Sequence, residues 1–235
     1  MFEFLTRGKD KRVKNNIQLV SIHIPKTAGT SFRNTLKQVY GENQVKRLDI
    51  AIDKFTLEQQ PFQSDKLDKG IEVIHGHIFY ELLIEKINIS KDVPIITWLR
   101  DPVARVISNY KYLSKRLAEE LDEEGKGLNI LAKMQRTLVE YAHDEINRNR
   151  MSKFLAGIEP EDISFIGITE YFSDDLKDLA QFLDWKNVEE YMVNVTGKKI
   201  DDVSEEDKAI IRQLNRDDVA LYQKAIELRN QRKGR

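Results

Sequence analysis

The 235-residue sequence contains no cysteine, which excludes a disulfide framework, a thiolate zinc site and a cysteine nucleophile. The chain also lacks any apolar run near the roughly 18 residues that mark a membrane-spanning helix. Its first residues do not have the order of a secretory signal. We therefore expect a cytoplasmic protein without a transmembrane segment.

An excess of basic charge is missing as well. The chain has 38 lysine and arginine residues against 39 aspartate and glutamate residues, a net charge of −1. Proteins that bind duplex nucleic acid normally carry a strong basic excess, so we expect no nucleic-acid partner. Basic residues are locally concentrated in segment 7–14, and we expect residues 1–15 to form a flexible basic N-terminus. The sequence carries no signal for an oligomeric state.

Short apolar runs alternate with helical patterns along the chain. The predicted strands cover 17–24, 71–78, 94–99 and 163–168. The predicted helices cover 31–40, 102–117, 128–142, 145–156, 173–184, 205–214 and 217–230, with Ser31, Asp101, Ser173 and Ser204 as N-terminal caps. This order predicts one α/β domain over residues 1–235, with a P-loop-like, mostly parallel central sheet flanked by helices and a helical C-terminal third.

The loop after the first predicted strand has the composition of an anion site. In a parallel sheet, ligands bind outside the carboxyl ends of the strands, and small residues let backbone N–H groups converge on an anion. The candidate phosphate-binding residues are Lys26, Thr27, Ala28, Gly29, Thr30 and Ser31. The loop is not a Walker A motif, because no Gly-Lys pair opens the helix. The alternative is an ordinary strand-to-helix turn with a surface lysine.

A second candidate anion site follows the third predicted strand. Arg100 stands just before a predicted helix and Ser108 lies two turns into it. An arginine fork and a hydroxyl together suit a phosphate group. Alternatively, Arg100 and Arg105 pair with Asp101 or a nearby acid and only fasten the helix.

His75-Gly76-His77 ends the second predicted strand. Residues two apart on a strand face the same side, so both imidazoles can point into one space, and histidine is suited to removing a proton from a hydroxyl. A metal pair is one alternative, but no third ligand motif accompanies it, and we expect no metal. A buried, hydrogen-bonded histidine is the other. We interpret His23 as a structural residue inside a strand and His143 as a surface helix residue.

These three motifs together resemble the sulfotransferases that use 3′-phosphoadenosine-5′-phosphosulfate (PAPS), in particular the carbohydrate branch with the uronyl 2-O-sulfotransferases of heparan and dermatan sulfate. The segment 23–32 resembles their 5′-phosphosulfate loop and 100–110 their 3′-phosphate motif. His75-Gly76-His77 resembles the His-Gly-His of the 2-O enzymes. Weaker similarities to family segments cover 149–157, 167–172, 194–198 and 215–222.

The resemblance implies transfer of a sulfuryl group to an acceptor hydroxyl, with 3′-phosphoadenosine-5′-phosphate (PAP) as product and without Mg²⁺. It favours a sugar or polysaccharide as the acceptor, with a polyketide, a lipid or a small alcohol as alternatives. Lys26 would stabilise the leaving oxygen, and residues 27–31 would hold the 5′-phosphate. Arg100 and Ser108 would bind the 3′-phosphate. His77 would be the catalytic base, with His75 orienting it or the acceptor. Lys198 would belong to the loop that closes over the nucleotide.

Two departures from the resembled branch concern compartment and substrate. Its animal members are Golgi membrane proteins with a signal anchor and usually cysteines, and this sequence shows neither feature. Two other functions stay open. One is a nucleotide kinase or other P-loop phosphotransferase, which would prefer Mg-ATP. The other is a catalytically silent nucleotide-binding protein, although a silent protein would not need the His-Gly-His motif.

Overall fold

The computed structural model describes residues 12–121, 136–186 and 203–234. Its strands are β1 (Leu19–Ile22), β2 (Val45–Ala51), β3 (Lys54–Leu57), β4 (Gln60–Pro61), β5 (Val73–Gly76), β6 (Ile95–Leu99) and β7 (Phe165–Ile168). Its α-helices are α1 (Gly29–Tyr40), α2 (Tyr80–Lys86), α3 (Pro102–Leu121), α4 (Leu138–His143), α5 (Arg150–Phe154), α6 (Phe172–Phe182), α7 (Glu205–Leu214) and α8 (Arg216–Lys233).

The sheet is mixed, with the order β4-β3-β2-β5-β1-β6-β7. The five strands from β2 to β7 in this order are parallel, and the β3–β4 hairpin continues the sheet antiparallel beyond β2. Strand β1 lies between β5 and β6, where Ile22 is in register with Gly76 and Thr97. The carboxyl ends of these three strands therefore meet at one edge, and the predicted mostly parallel sheet is confirmed.

Helices cover both faces of the sheet. On one face, α1 and α6 pack against β1, β5 and β6 through residues such as Phe32, Leu176 and Trp98. On the other face, α2, α5 and α8 pack through Leu83, Phe154 and Ala225. All four residues of β1 are buried, as expected for a parallel strand covered on both faces. After β7, the described elements are helical, so the predicted helical C-terminal third is confirmed.

Two predicted caps are confirmed and two are wrong. The Asp101 side chain accepts from the Ala104 N–H at 2.8 Å, and the Ser204 side chain accepts from the Asp207 N–H at 3.0 Å. Ser31 lies inside the first turn of α1, because Ala28, in a left-handed conformation, is the residue before the helix. Ser173 is likewise inside α6, which begins at Phe172 without a side-chain cap.

Other boundaries also differ from the prediction. The sequence analysis does not predict strands β2 to β4 or helix α2. In β2 (VKRLDIA), the charged residues break the apolar pattern. The predicted helix 145–156 is split into a 3₁₀ turn at Glu145–Asn147 and α5, with Asn149 between them at φ 47°. The structure describes the predicted helix 128–142 only from residue 136. There, α4 begins at Leu138, and Thr137 and Glu140 form a capping box at its N-terminus.

The basic N-terminus lies outside the described residues up to position 11. Val13 is buried, its N–H donates to the Lys86 carbonyl oxygen at 2.8 Å, and it forms a bridge with Ile87. The chain is therefore anchored two residues before the end of the segment predicted to be flexible. Within the described ranges, no helix is long and apolar enough to cross a membrane.

Candidate active site

The carboxyl ends of β1, β5 and β6 open into a cleft of about 1300 Å³. All three sequence motifs contribute to its lining. The lining residues among the predicted site residues are Lys26, Ala28, Gly29, Thr30, Ser31, His75, His77, Arg100 and Ser108. The topology thus brings together side chains that are more than 70 positions apart in the sequence, as the parallel βαβ order requires.

The phosphate loop, residues 25–31, has the strained backbone of an anion cradle. Lys26 and Ala28 have left-handed φ angles of 74° and 64°, and a non-glycine residue in this region costs about 1–3 kcal/mol. The first hydrogen bond of α1 runs from the Phe32 N–H to the Ala28 carbonyl oxygen at 3.1 Å. The N–H groups of residues 29–31 precede that ladder and are placed to bind an anion at the helix N-terminus.

Thr27 has a different place from its neighbours in the phosphate loop. Its side chain is fully buried and its hydroxyl donates to the Ile24 carbonyl oxygen at 2.8 Å. It does not line the cleft. The Thr27 hydroxyl therefore stabilises the turn that shapes the loop.

Lys26 and Arg100 lie beside each other in the cleft. The Lys26 ammonium is 4.0 Å from the centre of the Tyr112 ring, and Arg100 Nη1 donates to the Lys26 carbonyl oxygen at 3.2 Å. Burial, and then the nearby Arg100 charge, lower the pKa of Lys26. The pair makes this part of the cleft strongly positive, which suits a ligand with several phosphate or sulfate charges.

Arg100 is also linked to Glu170, which follows β7. Its Nε atom is 4.0 Å from Glu170 Oε1, and the same oxygen accepts from the Asp101 N–H at 3.1 Å. The Tyr222 hydroxyl on α8 donates to Glu170 Oε2 at 3.2 Å. Glu170 lines the cleft and lies in the weakly similar segment 167–172, although it was not among the predicted site residues.

Arg105 points away from the cleft, although it belongs to the same motif as Arg100. It is fully buried, donates to the Asn147 carbonyl oxygen at 3.0 Å, and has Nε 3.9 Å from Asp218 Oδ2. Arg105 therefore fastens the helix, which is the alternative role given in the sequence analysis, but its acidic partner is Asp218 rather than Asp101. Asp218 also accepts from the backbone of α5, through the N–H groups of Met151 and Ser152. The weakly similar segments 149–157 and 215–222 therefore contact each other behind the cleft.

The two histidines of the His-Gly-His motif have different surroundings. His75 is almost fully buried, with Nδ1 2.8 Å from the Ser21 hydroxyl oxygen and a further hydrogen bond to the Gly29 backbone. His77 is only partly buried, and its backbone N–H donates to Asp49 Oδ1 at 3.0 Å. Burial lowers the pKa of His77, and the Asp49 carboxylate partly opposes this shift. His77 is thus neutral at pH 7 and able to accept a proton.

His23 does not lie inside a strand, as the sequence suggested, because β1 ends at Ile22. Its ring lines the cleft, stacks on the His75 ring with centroids 5.2 Å apart, and lies tilted against the His77 ring with centroids 5.0 Å apart. Burial, and then the neighbouring His77, lower the pKa of His23 to about 3. His143 is exposed at the end of α4, as predicted.

Strand β2 supplies charged residues that the sequence analysis missed. Asp49 is 1% exposed and accepts from Arg47 Nε at 3.1 Å and Lys54 Nζ at 2.9 Å. Burial raises the pKa of Asp49, but hydrogen bonds from Lys54, Arg47 and the His77 N–H outweigh it and lower the pKa to about 2. In the sequence, the one indication of this ion cluster is an acid, Asp49, between apolar residues of β2. That pattern can be interpreted only when the tertiary partners of Asp49 are known.

The sequence matches the profile of the sulfotransferase family over residues 9–225. The chain belongs to the sulfotransferase family. The family prediction from the phosphate loop and the Arg100–Ser108 motif is therefore confirmed. No curated protein matches this family member at a significant level.

Two solved structures of sulfotransferases are similar to this family member. One is the mouse sulfotransferase SULT7A1 complexed with PAP, at 12% identity and TM-score 0.47, covering 87% of this chain and 66%, just under two thirds, of the mouse chain. The other is a sulfotransferase from Alicyclobacillus acidocaldarius, at 16% identity and TM-score 0.47, covering 92% of this chain and 96% of that one.

Three further points concern the predicted loop lysine, the metal and the glycine of His-Gly-His. Lys198, expected to lie over the nucleotide, is outside the described residues. Among the residues that are described, no group of three or more histidine, aspartate or glutamate side chains could hold a metal ion. The glycine of His-Gly-His is required by close packing, because a Cβ at Gly76 would lie 1.9 Å from the Leu48 carbonyl oxygen.

Proposed function

We propose that this protein transfers the sulfuryl group of PAPS to a hydroxyl group of a carbohydrate acceptor. The observation that carries the proposal is the convergence of Lys26, Arg100 and His77 on one cleft. A new bond forms between the acceptor oxygen and sulfur, while the bond from sulfur to the bridging phosphate oxygen breaks. PAP leaves with that oxygen, and the acceptor proton passes to His77.

The chain would hold the donor at two points. The N–H groups of residues 29–31 bind the 5′-phosphate, and the Lys26 ammonium stabilises the charge that grows on the leaving oxygen. Arg100 and Ser108 bind the 3′-phosphate, which selects this donor over ATP. Thr27 takes part only through the shape of the loop, since its hydroxyl is bound to Ile24. Lys198 remains proposed for the segment over the nucleotide.

His77 is the proposed base, because its ring lines the cleft and its lowered pKa leaves it unprotonated at neutral pH. The cleft lining also includes polar residues suited to hydrogen bonding with sugar hydroxyls, among them Arg33, Asn34 and Arg47. The His-Gly-His motif shared with the uronyl 2-O-sulfotransferases supports a sugar hydroxyl as the acceptor.

A thermal-shift series tests the nucleotide part of the proposal. A bound ligand raises the melting temperature by mass action, so PAP should raise it more than ADP or Mg-ATP at equal concentration. A larger shift with Mg-ATP would instead favour the kinase. The acceptor is tested by incubation with PAPS labelled with ³⁵S and a panel of uronic-acid and neutral oligosaccharides. Binding of PAP without transfer to any member of the panel would favour the silent nucleotide-binding protein.

A further inference from the structure

The His23 ring occupies the space between the phosphate loop and the proposed base. It is the first residue after β1, and its ring stacks on His75 at an interplanar angle of 12° and contacts the His77 ring in a tilted arrangement at 31°. Because its pKa is about 3, His23 is uncharged at neutral pH. Its ring therefore adds no positive charge to the site, and packing against the neighbouring rings is the contribution that the geometry shows.

The other side of the His23 ring touches the start of α1. A Cβ atom added at Gly29 would lie 1.9, 2.0 and 2.4 Å from three atoms of this ring. The Gly29 backbone thus rests directly on the imidazole, without space for a methyl group. Since residues 29–31 supply the N–H groups of the proposed phosphate site, the His23 ring sets how far into the cleft they reach.

His75 connects the His23 ring to the sheet. It is hydrogen-bonded to Ser21 on β1 and to the Gly29 backbone, and it stacks on His23. The sheet, the loop and the His23 ring are thus in mutual contact. With His75 almost fully buried, His77 is the member of the motif that is left to contact an acceptor.

We propose that His23 is a positioning residue whose ring acts as a spacer between the backbone of the phosphate loop and the imidazole of His77. This proposal rests on the proposed function, because a spacer affects the reaction rate only where a donor bound to the loop must lie at a set distance from a base. A displacement of about 1 Å at such a site can cost about a hundredfold in rate.

A compensation experiment tests the contact itself. Gly29→Ala should weaken PAP binding, measured by calorimetry, by at least about tenfold, because the methyl group displaces the loop from the ring. It should also lower the melting temperature, although alanine is the better helix former. Adding His23→Ala to Gly29→Ala should restore both quantities towards those of the His23→Ala protein. A double variant that binds and melts like Gly29→Ala would overturn the spacer.

A kinetic experiment tests the effect on the base. His23→Ala should lower kcat by about 10- to 100-fold. It should weaken PAP binding less than Gly29→Ala does, because loss of the ring leaves space beside the loop, whereas the added methyl group displaces the loop. The acidic limb of the kcat–pH profile should also move to higher pH, because the His77 ring becomes more hydrated. The charged groups Asp49, Arg47, Lys54 and Arg150, which face His77, are unchanged in this variant. His143→Ala, which removes an exposed imidazole, is the matched control and should leave kcat and its pH profile unchanged.

A further variant and the melting temperatures distinguish a failure of the spacer proposal from a failure of the proposed function. His23→Leu keeps apolar volume for folding but lacks a flat ring, and it should lose kcat as the alanine variant does. If either folded His23 variant keeps the wild-type kcat and pH profile, the spacer is wrong while the proposed function stands. If wild-type protein transfers no sulfuryl group, the proposed function fails, but the melting temperatures of the Gly29 and His23 variants still decide whether the contact exists.

Discussion

The backbone N–H of His77 donates to the carboxylate of Asp49 at 3.0 Å. This bond connects the proposed base, which directly follows β5, to an acid on β2 that is 1% exposed. Asp49 is in turn held by Arg47 and Lys54. The position of His77 therefore depends on a buried carboxylate and its two ion pairs, in a part of the sheet where the sequence shows no motif.

Replacement of Asp49 should reduce both stability and turnover. We expect Asp49→Asn to lower the free energy of unfolding by about 1–3 kcal/mol, the range for lost hydrogen bonds to a charged group. Its folded pKa of about 2 lies below the ordinary 3.8, so the ionised carboxylate stabilises the fold above about pH 4. The difference between wild type and variant should shrink as pH falls from about 4 to about 2. Urea unfolding at several pH values measures it, and a difference independent of pH would contradict the assignment.

Removal of the His77 imidazole should affect chemistry and leave donor binding intact. His77→Ala is expected to lower kcat by about 10²–10⁴-fold, the usual contribution of general acid–base catalysis, with nearly unchanged affinity for PAP by calorimetry. In the wild type, kcat should fall as pH decreases through the lowered pKa of His77, so the acidic limb should have its midpoint below 6.5. An equal collapse of PAP binding would show that His77 is not the base.

The 3′-phosphate should be bound by Arg100. We expect Arg100→Ala to weaken PAP binding by roughly 1.5–3 kcal/mol, the range for a hydrogen bond to a charged group. ADP has no 3′-phosphate, so its affinity should change much less and it serves as the ligand control. Calorimetry with both nucleotides gives the comparison. Equal losses for PAP and ADP would mean that Arg100 acts on the loop, through the Lys26 carbonyl oxygen, rather than on the 3′-phosphate.

Arg105 should behave differently from Arg100, although both belong to one motif. Arg105→Ala leaves the buried Asp218 without its cationic partner and should cost about 3–5 kcal/mol of unfolding free energy. Arg105→Met, which keeps the volume but not the charge, also strands Asp218. The double variant Arg105→Met/Asp218→Asn should recover part of the loss. Denaturant unfolding measures all three proteins, and a selective loss of PAP affinity in stable Arg105→Ala would contradict a structural role.

Several features could be predicted from the sequence because they are local. The phosphate loop and the start of α3 are continuous strand–loop–helix segments whose residue types are set by their own backbone and ligand. Alternation of such segments was enough to predict a parallel sheet and the meeting of three motifs at its carboxyl edge. The strand β2 was missed because Lys46, Arg47 and Asp49 hide its apolar side.

The sequence by itself therefore determined the fold class, the family and the motifs that line the cleft. Only the tertiary structure decided which side chains of those motifs face the cleft. Thr27 and Arg105 turn inwards, where the Thr27 hydroxyl donates to the Ile24 carbonyl oxygen and the Arg105 guanidinium forms an ion pair with Asp218. His23 became a cleft residue because the pairing of β1 with β5 brings its ring into contact with two histidines more than 50 positions away. The sequence alone does not determine the buried polar partners or the neighbouring rings, because both depend on which strands and helices pack side by side.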